Sequence, residues 1–534
     1  MDLIRCPFPS RRSSVLSANG VVATSQPLAA QAGLSMLQNG GNAVDAALAT
    51  AMALTVLEPT SNGIGSDAFA LIWDGKKLHG LNASGRWPAA YSAQTLRDAG
   101  HEEMPQIGWP TVTVPGAVSM WGDLSERFGS MDAAQLLAPA IGFARDGFPL
   151  SPVISQLWAR AQPNFDPSLD AGIAGWTETF TRGGRVPQAG EMWHSPGHAR
   201  CLQGLADRGF SDFYNGEIAA SIAKYAAATG GLMSAQDLAE HRNEWVEPIS
   251  ARYGDVDVWE IPPNGQGIAA LQALAILNEL PARDHGPMDV ERLHLQIESM
   301  KLGFGDAYHY VADPQVVDVP TRGMLDPDYL ASRRALISER ARMPDAGKPP
   351  KGGTVYLCAA DRNGMMVSLI QSNYHGFGSG VVVPELGLSL QNRGSGFVLQ
   401  PGHLNEAAPG KRPRHTIIPG FLTQDGEALG PFGVMGGEIQ PQGHLQVVAA
   451  MEDHGFSPQA ALDLPRWKWT AGQTVEFEPG TDPALVDALR ARGHDAVVMQ
   501  DSLSFGRGQI IRRLPSGAYA AGSEPRTDGA AVGY

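Results

Sequence analysis

A flexible Gly352-Gly353 precedes Thr354-Val355-Tyr356-Leu357-Cys358-Ala359-Ala360, which puts a hydroxyl at the first position of a strand-like run. Upstream, Asp345 to Gly353 reads DAGKPPKGG, which offers no apolar face to bury and is predicted as an exposed loop. A chain cut between Gly353 and Thr354 would begin on a residue carrying both a nucleophile and a base. The new α-amino group, with an unperturbed pKa of about 7.7 to 8.0, can take the proton of its own residue's hydroxyl. The chemistry is attack on an amide carbonyl. Taken alone the pattern is weak, because most Gly-Gly-Thr stretches before a strand are ordinary loops.

The elements that must position this residue are legible around it. Asp361-Arg362-Asn363-Gly364 supplies turn chemistry and Met365 to Ile370 a second apolar run, so a hairpin is predicted. Pro27 to Leu37 has helical spacing and closes on Asn39-Gly40-Gly41; Asn42 then caps an Ala-rich helix over Ala43 to Val56, whose small residues allow close packing. Ser61-Asn62-Gly63-Ile64-Gly65 turns the chain into a strand over Ala68 to Trp73. Helices are also predicted over Leu137 to Arg145 and Val290 to Tyr310. On the latter, His294, Glu298 and Asp306 are expected on a solvated polar face. After Thr354 come short strands joined by glycine turns, with Gly380 to Pro384 and Gly387 to Leu390 following the hairpin. Helices are expected near Gln442 to His454 and Pro458 to Leu464. Such a mixture suggests sheets layered with helices, an α+β class.

With 534 residues there is ample material for one large domain or two interlocked ones. The formal charge of -15 argues against nucleic acid or an anionic membrane as partner. No secretory signal or bilayer-spanning stretch is read, and the three scattered cysteines, Cys6, Cys201 and Cys358, suit a reducing cytoplasm without a disulfide framework. Gly63-Ile64-Gly65-Ser66-Asp67-Ala68 resembles a dinucleotide fingerprint but lies between a helix and a strand, the reverse of the order that aims amides at a pyrophosphate. Gly376-Phe377-Gly378-Ser379-Gly380 is read as a tight hairpin. His194, His198 and Cys201 are set aside as a metal site because Pro196-Gly197 interrupts the face they would share. Neither a metal nor an organic cofactor is expected.

The stretch Gly40-Gly41-Asn42-Ala43-Val44-Asp45-Ala46-Ala47 resembles the signature of gamma-glutamyltranspeptidases. Further matches follow in order: Val114-Pro115-Gly116, Pro262-Pro263-Asn264-Gly265, Ile297-Glu298, Asp313-Pro314, Thr354 with Asp361 and Gly364, Gln391-Asn392, Gly410-Lys411-Arg412-Pro413, Gly436-Gly437 and Asp528-Gly529. The resemblance runs over nearly the whole chain from Val21. It implies the four-layer αββα sandwich of the amino-terminal-nucleophile hydrolases. It also implies self-cleavage at Gly353-Thr354 into a large subunit, 1–353, and a small one, 354–534, intertwined and able to pair further as a homodimer. Residues 1–20 are expected as a poorly ordered tail and 341–353 as the exposed loop before the cut. Thr354 matches the catalytic threonine, Ser372 a second hydroxyl beside it, and Gly436 and Gly437 the pair whose amides bind the oxyanion. Arg86 lies where the family carries an arginine for the substrate carboxylate.

The departures concern the acyl group. The family's glutamate-binding segment ends in acids that hold the substrate ammonium, and here Gln391-Asn392-Arg393-Gly394-Ser395-Gly396-Phe397 has none. Tyr374 replaces an asparagine, His415 and Thr416 replace a serine pair, and the shortened run from Phe397 to Arg412 implies a missing lid. Arg86, Arg393 and Arg414 could make the pocket cationic, which suits a dicarboxylic acyl group. The expected function is hydrolysis or transfer of gamma-glutamyl or related acyl amides, such as glutathione, through a threonine acyl-enzyme. Two alternatives stand beside it: a glutaryl acylase of the cephalosporin-acylase kind, and an uncleaved relative that binds small peptides without turnover.

Overall fold

The computed structural model describes residues 12–343 and 353–534. Two seven-stranded sheets, antiparallel at every pairing, carry the architecture. One runs Ala530–Gly533, Gly20–Thr24, Gly353–Asp361, Met366–Tyr374, Asp67–Trp73, Leu78–Ala83, Glu244–Val246. The other runs Val15–Ser17, Tyr519–Ser523, Arg507–Arg513, Glu427–Met435, Gly420–Gln424, Val256–Glu260, Ile249–Tyr253. Both sheets therefore mix strands from the two sides of residue 353. The sheets touch through Gly353–Asp361 against Glu427–Met435 and Arg507–Arg513. The helices Pro27–Gln38 and Ala43–Leu57 cover the first sheet, and Gly267–Asn278, Ile439–His454 and Pro458–Asp463 the second.

The predicted hairpin is present, with Leu357 opposite Leu369 and Cys358 opposite Ser368. Its turn is tied down by one carboxylate. Asp361 Oδ1 accepts from the amides of Asn363 and Met365, while Oδ2 accepts from the amide of Ala43 at the start of the helix Ala43–Leu57. That helix has the expected Asn42 cap, closed into a capping box by Asp45. It approaches the helix Pro27–Gln38 closely because Gly33 has no side chain: a Cβ there would sit 2.2 Å from Thr50 Oγ1.

Several expectations give way. Of the tail expected over 1–20, residues 1–11 lie outside the described ones, and Val15–Ser17 adds an edge strand beside Tyr519–Ser523. Ser17 Oγ also donates to the Tyr534 carbonyl at 2.7 Å, so the sheet supplies partners that an isolated polar stretch lacks. Of the loop expected over 341–353, residues 344–352 lie outside the described ones. Gly376–Gly380 does not close a hairpin on Met366–Tyr374; it leads to Val382–Val383, which pairs with Leu388–Ser389 in a separate small sheet. His194 lies outside the helix Pro196–Arg208, since Pro196 opens that helix instead of interrupting it.

The polar residues of the helix Val290–Tyr310 are buried, not solvated. His294 is 0%, Glu298 2% and Asp306 6% exposed. Their partners explain it: Lys301 Nζ meets Glu298 at 2.8 Å, Arg333 meets Asp306 at 3.1 Å, and His294 shares a 2.8 Å hydrogen bond with His494. His294, Glu298 and His494 lie close enough to share an ion, but Lys301 and the Arg342 amide already occupy the carboxylate. No helix among the described residues is long and apolar enough to cross a membrane.

Candidate active site

Thr354 sits at a break in the ladder. Gly353 is opposite Tyr374 and Val355 opposite Gln371, so Ser372 and Asn373 share the space facing one residue. Such a bulge re-aims side chains, and here it brings Ser372 Oγ within 3.1 Å of Thr354 Oγ1. Thr354 is 1% and Ser372 0% exposed. The next residues of the bulged strand are held in place: the Tyr374 amide donates to Ser372 Oγ at 2.8 Å, and the Asn373 amide donates to the Ser61 carbonyl at 3.1 Å. Tyr374 adopts φ 78°, an uncommon conformation for a bulky residue and one that surrounding structure must enforce.

A third group, which the sequence reading did not single out, reaches the Thr354 hydroxyl. Gln440, the second residue of the helix Ile439–His454, donates from Nε2 to Thr354 Oγ1 at 3.3 Å, and its Oε1 accepts from the Ile418 amide at 3.0 Å. The only sequence signal was its place, three residues beyond Gly437. This contact brings the start of the helix, and the Gly436-Gly437 turn before it, to the threonine. Gly436 has φ 131° and Gly437 φ 73°, which require glycine. Gln266, also missed, anchors the turn from behind by donating to the carbonyls of Thr416 at 2.7 Å and Gly437 at 3.2 Å. Gln440→Ala removes the hydrogen bond it gives Thr354 Oγ1 and is expected to lower kcat about tenfold with little change in KM; steady-state kinetics checks it.

The segment Gln391 to Phe397 delivers Arg393 beside the same hydroxyls. Arg393 opens the short 3-10 turn Arg393–Gly396, and the Gln391 and Asn392 side chains lock its entry through Thr113 and His375. Its Nη2 donates to Ser372 Oγ at 3.1 Å and its Nη1 to Thr416 Oγ1 at 2.7 Å, with the guanidinium carbon 4.2 Å from the centre of the Tyr374 ring. Burial pushes its pKa down to about 10, against the pull of Asp67.

His415 points at Asp67, with Nε2 and Oδ2 3.1 Å apart. The Ile417 amide approaches its Nδ1, which assigns the Nε2–H tautomer. Burial, with Arg393, Arg414 and Arg412 nearby, holds the imidazole pKa well below normal, and burial lifts Asp67 to about 7. Arg414 is paired with Glu438 at 2.9 Å over the Tyr308 ring, and the Tyr308 hydroxyl donates to the same carboxylate at 3.2 Å.

Thr354, Ser372, Tyr374, Arg393 and Thr416 are thus brought together, joined by Gln440. Arg86 belongs to another network. It pairs with Asp313 at 3.2 Å, donates to the Gly410 carbonyl at 3.0 Å and lies 3.6 Å from Glu244.

With this geometry in view, the similarities to known proteins are informative. The model of the family described as gamma-glutamyltranspeptidase matches residues 29–534. The chain belongs to the gamma-glutamyltranspeptidase family. It is 34% identical to the glutathione hydrolase-like YwrD proenzyme of Bacillus subtilis (97% of this chain, 99% of that protein). It is also 34% identical to the oxamate amidohydrolase proenzyme of Klebsiella pneumoniae, over 98% of this chain and all of that protein. Among solved structures, the cephalosporin acylase from Bacillus halodurans superposes with a TM-score of 0.95 at 50% identity, covering 100% of this chain and 99% of that one. The mixed α/β fold with several sheets is therefore that of solved acylase-type members.

Proposed function

We propose that this protein is a self-processed amide hydrolase or acyltransferase with Thr354 as its amino-terminal nucleophile. The observation that carries the reading is the meeting of Ser372 and Gln440 at Thr354 Oγ1, on a bulge behind the Gly353-Thr354 bond. In the processed enzyme the α-amine of Thr354 takes the proton of Oγ1 as that oxygen attacks the carbonyl. The amides of Gly436 and Gly437 stabilise the tetrahedral oxyanion. The amine product leaves with the proton, an ester remains, and water or an amine acceptor releases the acyl group. We read the helix–sheet–sheet–helix packing as the four-layer sandwich of this class, with large and small subunits intertwined. A gel showing one full-length band and no anilide turnover would instead favour a non-catalytic binding protein.

Among acyl groups, a carboxylate without an ammonium fits better than gamma-glutamyl. Of the acids near this cluster, Glu438 is engaged by Arg414 and Tyr308. Asp67 is engaged by His415. An ammonium brought here would be buried without an acidic partner, at a cost of several kcal/mol. Turnover of a glutaryl anilide should equal or exceed that of the gamma-glutamyl anilide, measured as the ratio of kcat/KM; a strong preference for gamma-glutamyl would contradict this. Restoring the family acid by Gly396→Asp is a poor companion test, since a Cβ there would lie 2.9 Å from the Arg414 carbonyl oxygen.

A further inference from the structure

Arg393 is 0% exposed, yet among the described residues its guanidinium hydrogen-bonds only to hydroxyls, Ser372 and Thr416, beside its stacking on the Tyr374 ring, and its Nε has no hydrogen-bond partner. No described carboxylate forms an ion pair with it. The acids whose charge it feels are committed elsewhere: Asp67 to His415 and to the amides of Gly85 and Gly116, Glu438 to Arg414 and Tyr308. Arg86 differs in this respect, because Asp313 already meets its charge. Burying a cation without its counter-charge is costly, and a substrate carboxylate would supply that charge.

The position of this cation also limits the substrate. One hydroxyl, Ser372 Oγ, lies 3.1 Å from the nucleophile oxygen and 3.1 Å from the guanidinium. A bound carboxylate oxygen stands about 2.8 Å from its guanidinium donor, and a carbonyl poised for attack about 3 to 3.5 Å from the nucleophile. Those two contacts hold the guanidinium nitrogen within about 6 Å of the nucleophile oxygen, among the buried side chains of Tyr374 and Thr416. An extended acyl chain lengthens by about 1.3 Å with each tetrahedral carbon–carbon bond of about 1.5 Å, so a short chain spans the two groups with the fewest rotors to fix.

Resting on the amide-cleaving reading above, we propose that Arg393 binds the acyl carboxylate and that the preferred acyl group is that of a short diacid, with at most about two methylenes between carboxylate and scissile carbonyl. Thr416 orients the guanidinium, and the Tyr374 ring covers one face of it.

The test compares kcat/KM of the processed enzyme on oxamate, malonamate, succinamate and glutaramate, and on the methyl ester of succinamate. The best of the three shorter acids should exceed glutaramate by about tenfold or more, and esterification should cost about 100-fold. Arg393→Gln should erase the discrimination between acid and ester, and Arg393→Lys should restore part of it. A maximum at glutaramate, equal turnover of the ester, or full discrimination retained in Arg393→Gln would each overturn the assignment. If Arg393→Gln fails to fold, the wild-type comparisons still decide. Absence of turnover on every amide, by protein whose small fragment begins at Thr354, would overturn the underlying amide-cleaving reading instead.

Discussion

Thr354→Ala should run on a denaturing gel as one uncut chain and turn over no amide, while the wild type gives two fragments, the smaller beginning Thr354-Val355-Tyr356. The hydroxyl is needed twice. On the proposed mechanism it first attacks the Gly353 carbonyl, shifting the amide to an ester that water cleaves, and then attacks substrate with the α-amine so released as base. Loss of a nucleophile of this kind costs on the order of 10⁴-fold or more. The fold should survive, since Thr354 contributes two side-chain hydrogen bonds to a sheet held by flanking strands on both sides. Cleavage that persists in the variant, or a fragment starting elsewhere, would exclude Thr354 as the processing residue.

Gly437→Val is expected to lower turnover about 100-fold in protein that still folds. Gly437 lies at φ 73°, a conformation closed to a β-branched residue, so the substitution must swing the peptide and misplace the amide proposed as an oxyanion donor. Its carbonyl also accepts from the Gln440 amide at 3.1 Å and from Gln266, so the same swing disturbs the side chain that touches Thr354. Processing should slow in parallel, because self-cleavage passes through an oxyanion as well. The measurement is kcat on fully processed variant, with circular dichroism to confirm the fold; unchanged kcat would remove the glycine pair from the mechanism.

How much of the site was legible followed from how local each interaction is. The turn chemistry of Asp361 to Gly364, the Asn42 cap and the Gly436-Gly437 pair depend on neighbours a few residues away, and the sequence carried them. The ordered matches from Gly40 to Asp528 carried the family in the same way. The tail was misjudged because Val15–Ser17 acquires its partners from residues about 500 positions later. His294, Glu298 and Asp306 were misjudged because periodicity shows that a helix has a polar face, whereas burial depends on whether another element brings a counter-charge to it.

By itself, then, the sequence determined that a threonine follows two glycines at the head of a strand, that a glycine pair follows a later strand, and that the run from Gln391 to Phe397 carries no acid. Tertiary structure alone decided how Ser372 meets the Thr354 hydroxyl and that Gln440 joins it. The offset between Gly353–Asp361 and Met366–Tyr374 aims Ser372 at Thr354, and a helix starting 85 residues after the threonine supplies Gln440. It also sorted the arginines: Arg86 to Asp313, Arg414 to Glu438, and Arg393 left buried among hydroxyls. Charge alone cannot make that choice, because each arginine's partner comes from a distant segment and its energy depends on how completely water is excluded.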